Sequence, residues 1–152
     1  MRSLRMWLMV LGIGAIASVG AACSTGAAAT SSNTGIVAAL NNIDGVGFHG
    51  IDEALAKPGA KVDASWLGKV RNARIAVAAT PWPKDLQSQS KAFLDATTAL
   101  QTALEKDDAA GAAKPAHDSH EAQHDLSSSS YTFLAKSAGI AVATPKAATG
   151  HD

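Results

Sequence analysis

Apolar side chains recur along this chain at steps of three and four residues, and no run of them alternates at a period of two. That spacing places them on one face of an α-helix and argues against half-buried strands. Ile36, Leu40, Ile43, Gly47, Ile51 and Leu55 form the first stripe, closed by Lys57-Pro58-Gly59. Gly45, Gly47 and Gly50 each weaken such a helix by up to about 1 kcal/mol relative to Ala, which points to close approach of another helix or of a ligand. A second stripe, Trp66, Val70, Ala73 and Val77, follows Asp63 as N-cap and stops where Thr80-Pro81-Trp82-Pro83 forbids continuation. The third begins near Pro83 or Lys84, carries Leu86, Phe93, Thr97, Leu100 and Leu104, and closes at Asp107-Asp108. The fourth is expected to start around Lys114-Pro115, with proline in its first turn, and to reach about Ser137.

Four amphipathic helices joined by short connections predict an all-α fold, a single up-down-up-down four-helix bundle over residues 36–138. Helices one and four are neighbours in that arrangement. Large apolar residues are few and alanines many, so the helices should pack closely around a thin core. Trp66, Trp82 and Tyr131 read as packing residues.

The start of the chain has different chemistry. Arg2 and Arg5 precede an apolar run from Met6 to Val19 that ends in small residues before Cys23, the order of a secretory signal. The run is too short, and too interrupted by Gly12 and Gly14, for a membrane span. Cys23 is the sole cysteine, so no internal disulfide forms, and its place after Gly20-Ala21-Ala22 resembles the lipobox of bacterial lipoproteins, with Gly20 where leucine is usual. This divides the chain into a lipoprotein-type signal (1–22), a lipid-anchored flexible linker (23–35), the bundle (36–138) and a flexible tail (139–152). It implies an extracytoplasmic protein tied to a bacterial membrane through lipid on Cys23, in the periplasm or at the cell surface. Conventional cleavage near Ala21 or Ala22 is the alternative. Formal charge is zero, from 13 basic and 13 acidic residues, and becomes −2 once Arg2 and Arg5 leave with the signal. Without a basic stripe, nucleic acid is excluded as a partner. An envelope protein partner fits the expected location, and the oligomeric state is left open.

Candidate chemistry concentrates in the fourth helix. Ala116–Asp125 reads Ala-His-Asp-Ser-His-Glu-Ala-Gln-His-Asp, which places His117, His120 and His124 on one helix face. Neutral imidazole suits Zn, Cu or Fe, and interleaved acids supply oxygen ligands or orient the second ring nitrogen. The histidines share a line with the core candidates Ser127, Tyr131 and Leu134, and a neighbouring stripe, Ala122, Leu126, Ser130 and Phe133, competes for the core, so the sequence leaves open whether they lie in the core or at its edge; either placement faces them toward helix one. His120-Glu121-Ala122-Gln123-His124 also matches the H-E-x-x-H pattern of zinc metallopeptidases. Neither usual third ligand follows it: Ser127 and Ser130 stand where the longer motif has Gly and His. A bundle also offers no strand edge for an extended peptide, so the sequence favours a non-enzyme. Haem is disfavoured against a bare ion, since there is no C-x-x-C-H and all three methionines lie in the signal. One E-x-x-H motif, Glu121 with His124, falls short of the two in di-iron bundles.

On the first helix, Gly47-Phe48-His49-Gly50-Ile51-Asp52-Glu53 resembles the G-x-H-x-x-E signature of the imelysin-like proteins, exported helical-bundle proteins linked to bacterial iron uptake. The resemblance implies that His49 and Asp52 share a helix face and bind metal. The acid at the motif position is Asp, with Glu53 one step later, which leaves open which carboxylate serves. The resulting expectation is an exported lipoprotein that binds a transition metal (Zn, Cu or Fe) for storage or relay. Its ligands come from His49, Asp52, Glu53, His117, His120, Glu121 and His124. The alternatives are a non-catalytic envelope interaction module with incidental histidines and, third, the zinc metallopeptidase.

Overall fold

The computed structural model describes residues 25–141. The signal, Cys23 and most of the expected tail lie outside the described residues. Five α-helices follow one another: α1 (Thr25–Asp44), α2 (Phe48–Leu55), α3 (Ala64–Ala79), α4 (Gln87–Glu105) and α5 (Ala109–Ser137), with a 3-10 turn at Lys84–Leu86 leading into α4. No strand occurs among the described residues, in line with the period-three-and-four spacing.

The first expected helix is two helices. Gly47 adopts φ 73°, ψ 49°, a left-handed conformation that ends α1 and opens α2. The break rotates the stripe. Val46 and Phe48 enter the core in place of Gly47, and Ile51 and Leu55 follow on the same face. His49 and Glu53 are then left outward, with Asp52 at the boundary. α1 also begins at Thr25 and not near Ile36, so it takes in much of the segment read as linker. Ala27-Ala28-Ala29, the strongest helix formers, lie within that stretch.

α5 starts earlier than the Lys114-Pro115 signal suggests. Asp108 caps it, its Oδ1 accepting from the Gly111 N–H at 2.8 Å. A Cβ at position 111 would sit 2.1 Å from Asp108 Oδ2, so glycine there is what allows this cap. Pro115 consequently lies inside the helix, where it has no N–H to give the Gly111 carbonyl.

α3 matches expectation at both ends. Asp63 Oδ1 accepts from Ser65 N at 2.7 Å, and beyond Thr80 the released carbonyls find side-chain donors. Thr80 Oγ1 donates to Ala76 O and Trp82 Nε1 to Val77 O, both at 2.8 Å.

One core joins all five helices. Its largest fully buried side chains include Ile36, Leu40 and Ile43 of α1, Phe48 and Ile51 of α2, Val70 and Val77 of α3, Phe93 and Leu100 of α4, and Leu126 of α5. Phe48 and Phe93 meet edge to face, ring centroids 5.6 Å apart and planes at 89°. α5 contributes chiefly small residues, Ala112, Ala116, Ser119, Ala122 and Ser130, which let its backbone lie close to α4 and α2. Trp66 and Trp82 pack against the core as expected, whereas Tyr131 is 54% exposed and is not a packing residue. No helix among the described residues is long and apolar enough to cross a membrane.

Candidate functional site

The histidine stripe of α5 lies at the edge of the core. Ala116, Ser119, Ala122, Leu126 and Ser130 turn inward, so His117, His120 and His124 come to the rim that faces α2. Two helices of the first and fourth sequence stripes thus meet, and residues ascending along α2 meet residues descending along α5. Asp44 at the end of α1 extends the same register by accepting from Gln123 Nε2 at 3.3 Å.

Asp52 is the centre of the contact. Its Oδ2 lies 3.2 Å from His117 Nδ1 and 3.0 Å from His120 Nδ1. Burial by itself would push this carboxyl up, but the hydrogen bonds from His120 and His117 outweigh it and hold the carboxyl below its usual value. The ionised carboxylate accepts, so each ring donates through Nδ1–H. With Nδ1–H given to Asp52, the Nε2 of His120 is left as its acceptor nitrogen, the arrangement of a carboxylate that orients a metal-binding histidine.

That Nε2 faces a second imidazole. His124 Nε2 lies 2.9 Å from His120 Nε2, and the two rings have centroids 4.7 Å apart. The ring of His49 also approaches His120, with centroids 5.0 Å apart, and His49 Nε2 is 3.3 Å from Glu53 Oε1 one turn along α2. His120 and Asp52 are enclosed, with side chains 13% and 18% exposed, while His117, His49 and Glu53 are more than half exposed. The centre of the cluster is therefore held by packing and its periphery is open to solvent.

His49, Asp52, Glu53, His117, His120 and His124 come together. Glu121, included with them from the H-E-x-x-H spacing, is exposed and makes none of these contacts. Asp52 and Glu53 separate in role: Asp52 engages the two Nδ1 atoms across the helix pair, and Glu53 engages His49 within α2. Sequence spacing carried no signal for that division, because it depends on the break at Gly47. Among the described residues no three His, Cys, Asp or Glu side chains already converge as a set that could hold a metal ion. The His120–His124 pair brings two ring nitrogens together at 2.9 Å. Tetrahedral zinc, with Zn–N of about 2.0–2.1 Å, would hold two ligand nitrogens roughly 3.3 Å apart. The observed 2.9 Å is short of this by a few tenths of an ångström, within reach of small side-chain rotations.

The remaining polar contacts are of another kind. Arg71 and Glu105, and Arg74 and Gln101, link α3 to α4. Arg71, Arg74 and Gln101 line a shallow groove with Ile75, Ala78 and Leu94. No family model matches this chain, and neither a curated protein nor a solved structure is similar to it.

Proposed function

We propose that this chain is an exported, lipid-anchored protein whose up-and-down helical bundle binds a transition metal at the α2–α5 contact, for storage or relay. The observation that carries the reading is the 2.9 Å approach of His120 Nε2 and His124 Nε2, with His120 fixed from behind by Asp52. Two imidazoles one turn apart on a helix form a bidentate nitrogen site for Zn(II) or Cu(II), and an iron site is compatible with the nearby carboxylates. His49 is the candidate for a further ligand, since its ring lies 5.0 Å from that of His120. Asp52 is assigned here to orientation, and Glu121 to solvent. The imelysin-like resemblance around His49 and Asp52 is in keeping with this reading, as is a location in the periplasm or at the cell surface with lipid on Cys23.

The experiment is calorimetric titration of the chain with Zn(II), Cu(II) and Fe(III) at neutral pH, alongside His49→Ala and the His120→Ala/His124→Ala pair. Saturable binding lost in the double variant and weakened in His49→Ala is the expected result. Binding untouched by the double variant would remove the site from α5.

A second reading is favoured by the same distance, since 2.9 Å is also that of an N–H···N hydrogen bond. Asp52, His120 and His124 would then be a brace between α2 and α5 in a non-catalytic envelope interaction module. In that case none of the three metals binds, and His120→Ala lowers only thermal stability.

A further inference from the structure

The metal-binding reading leaves half of a tetrahedral sphere to be filled, and the surface around the histidine pair has the features of a self-complementary face. We infer that a divalent transition metal joins two copies of this chain, α5 against α5 across a two-fold axis, with His120 and His124 of each copy completing a four-imidazole site. The inference rests on the metal-binding reading and goes beyond it by assigning the missing ligands to a second copy.

Three observations support this. First, the convergent atoms belong to one helix: His124 is exposed, and the Nε2 of the largely enclosed His120 lies 2.9 Å from that of His124, so the pair reaches solvent through His124. A two-fold axis through the ion would bring an identical nitrogen pair from the other side. The interface would then be isologous, the commonest symmetry among homo-oligomers.

Second, the surroundings are acidic. Glu53 pairs with His49, whose ring lies 5.0 Å from that of His120, Asp44 accepts from Gln123, next in sequence to His124, and exposed Glu121 and Asp125 are the sequence neighbours of the two histidines on α5. Asp118 is balanced by Lys114, at 2.7 Å. Two such faces repel each other when apposed, and a dication between them removes that repulsion while taking up the nitrogens. Association is therefore metal-dependent.

Third, the helix surface beyond the pair permits close approach. Ser127 and Ser128 are small, and Tyr131, two turns past His124 on the same stripe, is 54% exposed although it is a large aromatic. In an antiparallel crossing centred on the histidine pair, Tyr131 of each copy comes against the Lys114–His117 turn of the other. An exposed tyrosine beside small side chains is a common component of interfaces.

The test is sedimentation equilibrium of the full chain with and without Zn(II), in mild detergent and with a reductant that excludes a Cys23 disulfide. Bound zinc is quantified in the same samples. The expected result is a doubling of protein mass at one zinc per two chains, reversed by chelator and abolished by His124→Ala. Tyr131→Ala should bind zinc but dimerise at higher protein concentration. One zinc per chain with no change in mass would overturn the bridging inference and leave the metal site standing. No zinc bound would overturn both. A doubled mass that persists in His124→Ala or in chelator would overturn the bridge as the cause of association.

Discussion

Two polar seams cross this molecule, and they use their donors differently. Between α3 and α4, Arg71 Nη2 lies 2.6 Å from Glu105 Oε1, an oxygen that also accepts at 2.7 Å from Gln101 Nε2 one turn back on α4. Between α2 and α5, one oxygen of Asp52 accepts from the Nδ1 of two histidines. In the first seam the Glu105 oxygen is engaged by donors that serve only to hold the helices, and the side chains of Arg71 and Glu105 are 50% and 40% exposed. Histidine differs because its ring has two nitrogens. The Nδ1 of His120 ties α5 to α2, and its Nε2 is left directed at His124. An imidazole can brace two helices through one nitrogen and still present the other as a ligand atom, which a guanidinium, a donor at every nitrogen, cannot.

The comparison breaks most completely at the ring pair beneath both seams. Phe48 of α2 is fully buried against Phe93 of α4. Phe48→Ala should cost about 3–5 kcal/mol in urea unfolding, from lost burial and the cavity left behind. It should weaken metal binding and the α3–α4 contact together. A variant that unfolds at the wild-type midpoint would show that the two seams do not share this foundation.

Asp52→Asn sharpens the comparison. It keeps the size of the side chain and removes the charge that orients His117 and His120, so metal affinity should fall about 10–100-fold, the usual consequence of losing an outer-sphere carboxylate. Glu105→Gln is the same chemical change on the other seam and should leave metal affinity where it was. Equal losses in the two variants, measured by calorimetry, would mean that Asp52 acts through general stability and not through the histidines.

The helical class, the α3 boundaries and the α4 stripe were legible because they depend on local signals: Asp63 before an apolar run, Pro81 after it, and Leu86, Phe93, Thr97, Leu100 and Leu104 at helical spacing. The shared face of the α5 histidines was legible for the same reason, but two adjacent stripes competed for the core, and only the structure shows that Ala122, Leu126 and Ser130 take it. The break in the first helix was not, because three nearby glycines mark a weak helix without saying which one turns left-handed. Nor was the start of α5, where the conspicuous Pro115 outweighed the quieter Asp108–Gly111 cap. The division of labour between Asp52 and Glu53 depends on that unforeseen break, so it became visible only in three dimensions.

Gly47→Ala tests the break directly. An alanine held at φ 73° costs about 1–2 kcal/mol relative to glycine, and nothing else lies within 4 Å of the added methyl group, so the loss should come from backbone strain alone. If α2 instead rejoins α1 to relieve the strain, Phe48 rotates out of the core and Asp52 away from α5. Metal titration and thermal unfolding of this variant distinguish the two responses. Strain alone lowers the melting temperature and spares the site, whereas a rejoined helix abolishes metal binding.

The smallest effects should appear on acidification. Hydrogen bonds from Arg71 and Gln101 hold the Glu105 carboxyl below its ordinary 4.5. For Asp52, burial acts upward and is outweighed by the histidine donors, so its carboxyl also lies below the ordinary 3.8. A carboxyl lowered in the folded state contributes stability that is fully present above the unfolded value. That contribution is lost as pH falls through the folded one. Both seams should therefore begin to weaken as pH falls through the ordinary carboxylate values and go on weakening below them. They should respond differently to salt, because the Arg71–Glu105 pair is exposed and screened, whereas Asp52 is largely enclosed. Acid unfolding followed by circular dichroism should show Glu105→Gln flattening the low-salt limb alone, and Asp52→Asn flattening it at both low and high salt. If high salt erases the Asp52 effect as fully as that of Glu105, the α2–α5 seam is as solvated as the other and its histidines are not held in place by enclosure.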